Sequence, residues 1–141
     1  MQAQNSSNQI GVTSVPLTTS LTTASQLETE IFSANAITVT TNSQIAYRVF
    51  VRLTNMSTTS GTPFPASMIA MQLASSDKSN RSVPVTSKIA LSLTDQLLIT
   101  DTDKTRNGGD FFYYNIFLGP IGYSYGPGVY TSTILFTMSQ P

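Results

Sequence analysis

The strongest constraint on the fold is a two-residue alternation of apolar and polar side chains. It is clearest over residues 43–54, where every second residue is large and apolar. These residues are Ile45, Tyr47, Val49, Val51 and Leu53. Successive side chains of a β-strand point to opposite faces, so this period predicts a strand with one buried face.

Similar runs recur about every ten residues, which is the spacing of strands in a β-sandwich. They predict further strands at Ala36–Thr41, Met68–Ala74, Val83–Leu93, Gln96–Asp101, Asp110–Leu118 and Gly128–Ser139. Residues 26–33 fit either a short strand or a helical turn, and residues 55–67, with one Gly and two Pro, predict a loop. Because no strand–helix–strand pattern occurs, the chain is predicted to be all-β. The expected fold is an antiparallel immunoglobulin-like Greek-key β-sandwich of seven to eight strands, open to completion by a donated strand.

The domain organisation follows from length and composition. The chain has 141 residues, which suits one domain. We expect residues 1–25 to form an N-terminal extension or donor strand and residues 26–141 to form the sandwich. Only 10% of the residues are charged and the net charge is zero, which argues against nucleic-acid partners. The 19 Ser and 21 Thr supply the polar surface, and Thr favours strands.

The residue types needed for most catalytic mechanisms are missing. The chain has no His and no Cys, which removes the usual general base, thiolate nucleophile and zinc ligands. The carboxylates show no spacing that singles out an acid/base pair. We therefore predict no enzyme, no catalytic residue and no cofactor. The segment Asp101–Asp110 is rich in the side-chain oxygens that a calcium loop needs, but Lys104 and Arg106 favour an ordinary turn.

The N-terminus bears on localisation. The first four residues, Met-Gln-Ala-Gln, lack a basic and an apolar signal region, yet a small residue followed by Gln is common after signal-peptide cleavage. We expect a mature secreted or cell-surface chain, with an ordinary cytosolic start as the alternative. No apolar stretch reaches the length of a membrane span.

The N-terminal segment is a candidate donor strand because its apolar residues alternate and it carries almost no charge. The candidate donor residues are Ile10, Val12, Val15, Leu17 and Leu21. Pro16 restricts such a segment to a sheet edge or to a strand offered from outside. The alternative is that the segment is the first strand of its own domain.

The C-terminal segment 126–138 carries a recognisable motif. Gly128 and Tyr130 form a Gly-x-Tyr signature, Ser132 follows, and a run of alternating apolar residues ends the strand. The predicted groove residues are Tyr130, Ile134, Phe136 and Met138. This motif resembles the C-terminal strand of chaperone-usher pilins and spore-coat-U-like subunits, in their cysteine-free fimbrial branches.

The resemblance implies an incomplete sandwich that lacks one strand. In that family the groove is filled first by a periplasmic chaperone and then, at an usher, by the N-terminal extension of the next subunit. The expected function is thus a structural subunit of an extracellular pilus or surface filament, a homopolymer formed by strand donation.

Two other functions stay open at this point. Aromatic residues crowd the last third of the chain, and exposed rings can stack on sugars or protein partners. Tyr123 and Tyr125 are the candidate binding patch for a host glycan or protein in a carbohydrate-binding or adhesin module. A capsid, spike or surface-layer protein is the second alternative.

Overall fold

The computed structural model describes residues 9–14, 23–59, 61–126 and 128–140, apart from the side chain of Asn55. Nine strands and two short helical segments lie in these ranges. The strands are β1 (Gln9–Ser14), β2 (Ile31–Asn42), β3 (Tyr47–Thr58), β4 (Ile69–Asp77), β5 (Ser82–Pro84), β6 (Ile89–Ala90), β7 (Gln96–Asp101), β8 (Asp110–Leu118) and β9 (Tyr130–Ser139). The helix α1 spans Ala24–Glu28, and a single 3₁₀ turn spans Ala66–Met68.

The strands form two antiparallel sheets. The first has the order β1-β2-β8-β4-β6 and the second has the order β5-β7-β3-β9. Consecutive long strands such as β2 and β3 lie in different sheets, so the chain repeatedly crosses between the two layers. In the described residues, β1 is an edge of the first sheet and β9 is an edge of the second.

The core lies between the two sheets and is built from the inward half of each alternating strand. Val49, Val51 and Leu53 of β3 are fully buried against residues of the opposite sheet, among them Val39 and Phe112. The intervening residues of β3 face outward, as the period of two requires. Apolar burial of this kind stabilises a sheet by roughly 1.5–3 kcal/mol for each large side chain.

The prediction of an all-β antiparallel sandwich is confirmed. Seven of the described strands have six residues or more, and β5 and β6 are shorter. The predicted strands Gln96–Asp101 and Asp110–Leu118 have the same bounds as β7 and β8. The ambiguous residues 26–33 contain both structures considered, because α1 ends at Glu28 and β2 begins at Ile31.

The prediction of one long strand over Val83–Leu93 is wrong. The segment contains parts of two short strands that belong to different sheets, since β5 pairs with β7 and β6 pairs with β4. Pro84 ends β5 with a residue that has no N–H to continue the pairing. The alternation of apolar residues is therefore real, but the chain passes from one layer to the other within it.

Candidate assembly groove

The edge strand β9 carries all four predicted groove residues on one face. Tyr130, Ile134, Phe136 and Met138 are each half-buried, while the intervening residues Thr131, Thr133, Leu135 and Thr137 are exposed. The last three of the four pack against the core cluster. One edge of β9 pairs with β3, and no other strand of the described residues pairs with it.

A groove of about 430 Å³ lies beside the first half of β9. Its lining is largely apolar and comes from both sheets. The lining side chains that lie outside β9 include Ile31, Phe32, Met56, Phe64, Ile69 and Leu118. Tyr130, Ser132 and Ile134 supply the β9 wall, so two of the four predicted groove residues line this cavity. Phe136 and Met138 lie further along the same strand face.

The opposite wall of the groove is the first half of β2. The edge strand β1 pairs with β2 only from Ile37 to Asn42, so among the described residues β2 has no partner on that side from Ile31 to Ala36. A β-bulge between Ser33 and Ile37 interrupts the pairing of β2 with β8 at the same place. Asn35 sits there at φ +48°, a conformation that Asn tolerates better than most residues. Its backbone N–H donates to Asn115 Oδ1 at 2.9 Å, which fixes the bend.

One end of the groove is bounded by an aromatic cluster. The ring of Phe64 stacks on Tyr130 with 4.0 Å between centroids, and Tyr125 meets Phe64 edge-on at 4.8 Å. The Tyr130 hydroxyl donates to the carbonyl of Gly126 at 2.5 Å, which ties the strand to the turn before it. Tyr130 of the Gly-x-Tyr signature thus has a local packing role beside the groove.

The two predicted binding tyrosines have different surroundings. Tyr125 packs in the aromatic cluster, whereas the side chain of Tyr123 is 63% exposed. A hydrogen bond with Glu28 raises the pKa of Tyr123. Only Tyr123 therefore presents a largely open ring to a partner.

The candidate donor residues lie partly outside the described part of the chain, where Val15, Leu17 and Leu21 fall. Ile10 and Val12 are on β1, which pairs with β2 of its own chain. Ile10 packs against the core, but Val12 is 44% exposed, and four of the six β1 residues are polar or Gly. β1 is held mainly by its backbone pairing.

Sequence reasoning missed the wall of the groove that faces β9. Ile31 and Phe32 lie in the segment that fits either a strand or a helical turn, and Phe64 lies in the Pro-rich loop. Their only local signal is that they are large apolar residues next to polar ones. Their convergence depends on contacts between distant parts of the chain.

Within the residues that the structure describes, no group of three or more His, Cys, Asp or Glu side chains is placed to hold a metal ion. Among them, no helix is long and apolar enough to cross a membrane.

Comparison with protein-family models and with curated proteins finds no match to this sequence.

Proposed function

We propose that this chain is a structural subunit of an extracellular pilus or surface filament and that it polymerises by β-strand donation. The observation that carries the proposal is an apolar groove beside the edge of β9 that has no partner strand in the described residues. A strand placed there would pair its backbone with β9 and would insert alternate side chains between the two sheets. Exposed strand edges of this kind are the usual sites of strand addition.

The chemistry of the groove suits a donor of alternating apolar residues. The lining side chains are mostly apolar, and none of those that line the cavity is charged. A charged donor would lose hydration without gaining a partner, whereas each buried Val or Leu would contribute roughly 1.5–3 kcal/mol. The N-terminal segment of a second copy fits this requirement through Val15, Leu17 and Leu21.

The assembly partners follow from the resemblance of segment 126–138 to chaperone-usher pilins. On this proposal a periplasmic chaperone would cover the groove before assembly, and an usher would exchange it for the next subunit. The chain would then be secreted and would function at the cell surface. The filament could also act in adhesion.

The test of the donor is removal of residues 2–22. The shortened chain should stay monomeric in size-exclusion chromatography with light scattering, while the full chain forms a ladder of polymers in unheated SDS gels. A peptide of residues 9–21 should bind the shortened chain, and the same peptide with Leu17→Asp and Leu21→Asp should not. Continued polymerisation of the folded, shortened chain would contradict donation by this segment.

The test of the groove is a matched pair on adjacent residues of β9. Ser132→Phe places a ring inside the groove, whereas Thr133→Phe places the same ring on the exposed face of the strand. Ser132→Phe should weaken association about tenfold or more, since a loss of about 1.4 kcal/mol already has that effect. Thr133→Phe should polymerise like the parent. Equal polymerisation by the two folded variants would contradict the proposal that this groove receives the donor strand.

The exposed ring of Tyr123 favours a second candidate function, a binding module for a glycan or protein. Under this alternative, Tyr123→Ala should abolish binding on a glycan array, and Tyr113→Ala, on β8, serves as the control. A protein that stays monomeric and binds glycans through Tyr123 would favour this candidate over the filament.

A further inference from the structure

A polar layer closes the sandwich at the end of β2 that lies away from the groove. Thr41 lies ten residues after Ile31 on this strand, and a strand rises about 3.3 Å per residue. Six residues from both sheets and one loop make up this layer, here called the polar ring. They are Thr41, Tyr47, Ser79, Ser82, Asp101 and Asp110.

Strand pairing joins one half of the polar ring. In the second sheet, Tyr47 of β3 and Ser82 of β5 are the two register partners of Asp101 on β7. All three residues are at most 1% exposed, so their side chains face inward. In the first sheet, Thr41 of β2 is the register partner of Asp110 on β8, and both are equally buried.

Hydrogen bonds connect the two sheets and the loop of Ser79 in the rest of the polar ring. The Thr41 and Tyr47 hydroxyls are 2.8 Å apart, which links the two sheets. On the far side, the Ser82 N–H donates to the Ser79 carbonyl at 3.3 Å, and the Ser79 N–H donates to Asp110 Oδ1 at 3.2 Å. The six residues therefore form one connected layer inside the protein.

Four side-chain oxygens of this ring are buried and make no hydrogen bond of good geometry within the part of the chain that the structure describes. They are Ser79 Oγ, Ser82 Oγ, Asp101 Oδ2 and Asp110 Oδ2. Of these, Ser82 lies close enough to the Tyr47 hydroxyl to lower the pKa of that group. The other oxygen of each carboxylate is already bonded: Asp101 Oδ1 accepts from the Asp103 N–H at 2.9 Å, and Asp110 Oδ1 accepts from Arg106 Nε at 3.1 Å. Buried polar atoms without partners are costly and rare, so four in one ring require an explanation.

The charges of the ring are also unbalanced. Arg106 pairs with Asp110 and reaches Asp77, while Arg81 pairs with Asp103, so no ion pair to Asp101 occurs in the described residues. Burial raises the pKa of Asp101, and the nearby charges of Asp110 and Asp103 raise it further. The backbone N–H of Asp103 and the positive charge of Arg81 lower the pKa in part, but neither forms an ion pair with this buried carboxyl.

We propose that the polar ring is a binding site for a hard metal cation, with calcium as the first candidate. The ligands would be the two inward carboxylate oxygens and the two serine hydroxyls, with Tyr47 in reach to complete the set. Calcium binds oxygen ligands at about 2.3–2.6 Å and needs neither His nor Cys. Only two carboxylates take part, and neutral hydroxyls complete the oxygen set. The cation would join β3, β5, β7, β8 and the loop of Ser79 at the closed end of the sandwich.

The test is thermal unfolding after removal of metal with EGTA. Calcium at about 100 times its Kd should raise the Tm of the parent by about 5 °C or more over a KCl control of equal ionic strength. Asp101→Asn should lose this response. The matched control is Asp95→Asn, which changes an exposed carboxylate that pairs with Arg52, and it should respond like the parent.

A second readout keeps the test open if Asp101→Asn folds poorly. Terbium bound in the ring should show luminescence sensitised by Tyr47, and Ser82→Ala, which retains both carboxylates, should weaken that binding. Absence of both a calcium-dependent Tm shift and a terbium signal in the parent would overturn the proposal. So would a parent whose stability depends on pH through Asp101 but not on calcium, because the ring would then hold a proton.

Discussion

At the scale of single residues, two buried tyrosines with similar burial have different hydroxyl environments. Tyr47 and Tyr114 are both fully buried. The Tyr47 hydroxyl bonds with Thr41 across the two sheets, whereas the Tyr114 hydroxyl has no hydrogen-bond partner among the described residues. A buried hydroxyl without a partner reduces stability, and one with a partner adds to it.

This difference predicts opposite effects of the same substitution. Tyr47→Phe should lower the free energy of unfolding by about 1–2 kcal/mol, because it leaves Thr41 buried without its bond. Tyr114→Phe should leave stability unchanged or raise it slightly. Urea unfolding followed by circular dichroism measures both values. An equal loss in the two variants would show that Tyr114 has a partner after all.

At the scale of elements, the strands differ in how they are held. β8 lies between β2 and β4, and its inward residues are buried. β1 has a single neighbouring strand in the described ranges, and five of its six residues are exposed. Strands with few buried contacts open locally at a lower free energy than the core.

The amide hydrogens of β1 should therefore exchange much faster than those of β8. Hydrogen exchange with mass spectrometry on the monomer compares peptides that cover Gln9–Ser14 and Asp110–Leu118. We expect a difference of about tenfold or more, which corresponds to about 1.4 kcal/mol in local opening. Equal protection would mean that β1 is a fixed part of the sandwich, which would weaken its role as part of a donor segment.

At the scale of the whole molecule, repulsion between like charges is weak near neutral pH, since only 10% of the residues are charged and the net charge is zero. Under alkaline conditions the stability depends on pH, because burial raises the pKa of Tyr47 and, more strongly, that of Tyr114. For a group with a raised pKa in the folded state, the stabilising contribution is complete below the unfolded value of 10.0 and is lost as pH rises through the folded value.

The protein should therefore unfold cooperatively as pH rises above 10.0, the ordinary pKa of tyrosine. Tyrosinate absorbance and circular dichroism, recorded together, should show one group of tyrosines ionising only with unfolding. Each unit of raised pKa corresponds to about 1.4 kcal/mol of stability. Tyr114→Phe should shift the alkaline transition to higher pH. Gradual ionisation of every tyrosine in a folded protein would contradict this expectation.

The local sequence was sufficient to predict the strands that have one buried face and one exposed face. In β3 and β9 the alternation of apolar and polar residues follows directly from one buried face, so the pattern alone assigns Val49, Val51, Ile134 and Phe136 to that face. The bounds of β7 and β8 followed in the same way, because turn residues flank them.

Only the tertiary structure decided which residues meet across the two layers. The break between β5 and β6, the wall of Ile31 and Phe32 opposite β9, and the closure of the polar ring from Thr41 to Asp110 all join segments far apart in sequence. The two-residue alternation of apolar and polar side chains shows which side of a strand is buried, but it carries no information about the partner strand. The groove and the ring therefore depend on the order and register of the strands, which no local pattern of residues specifies.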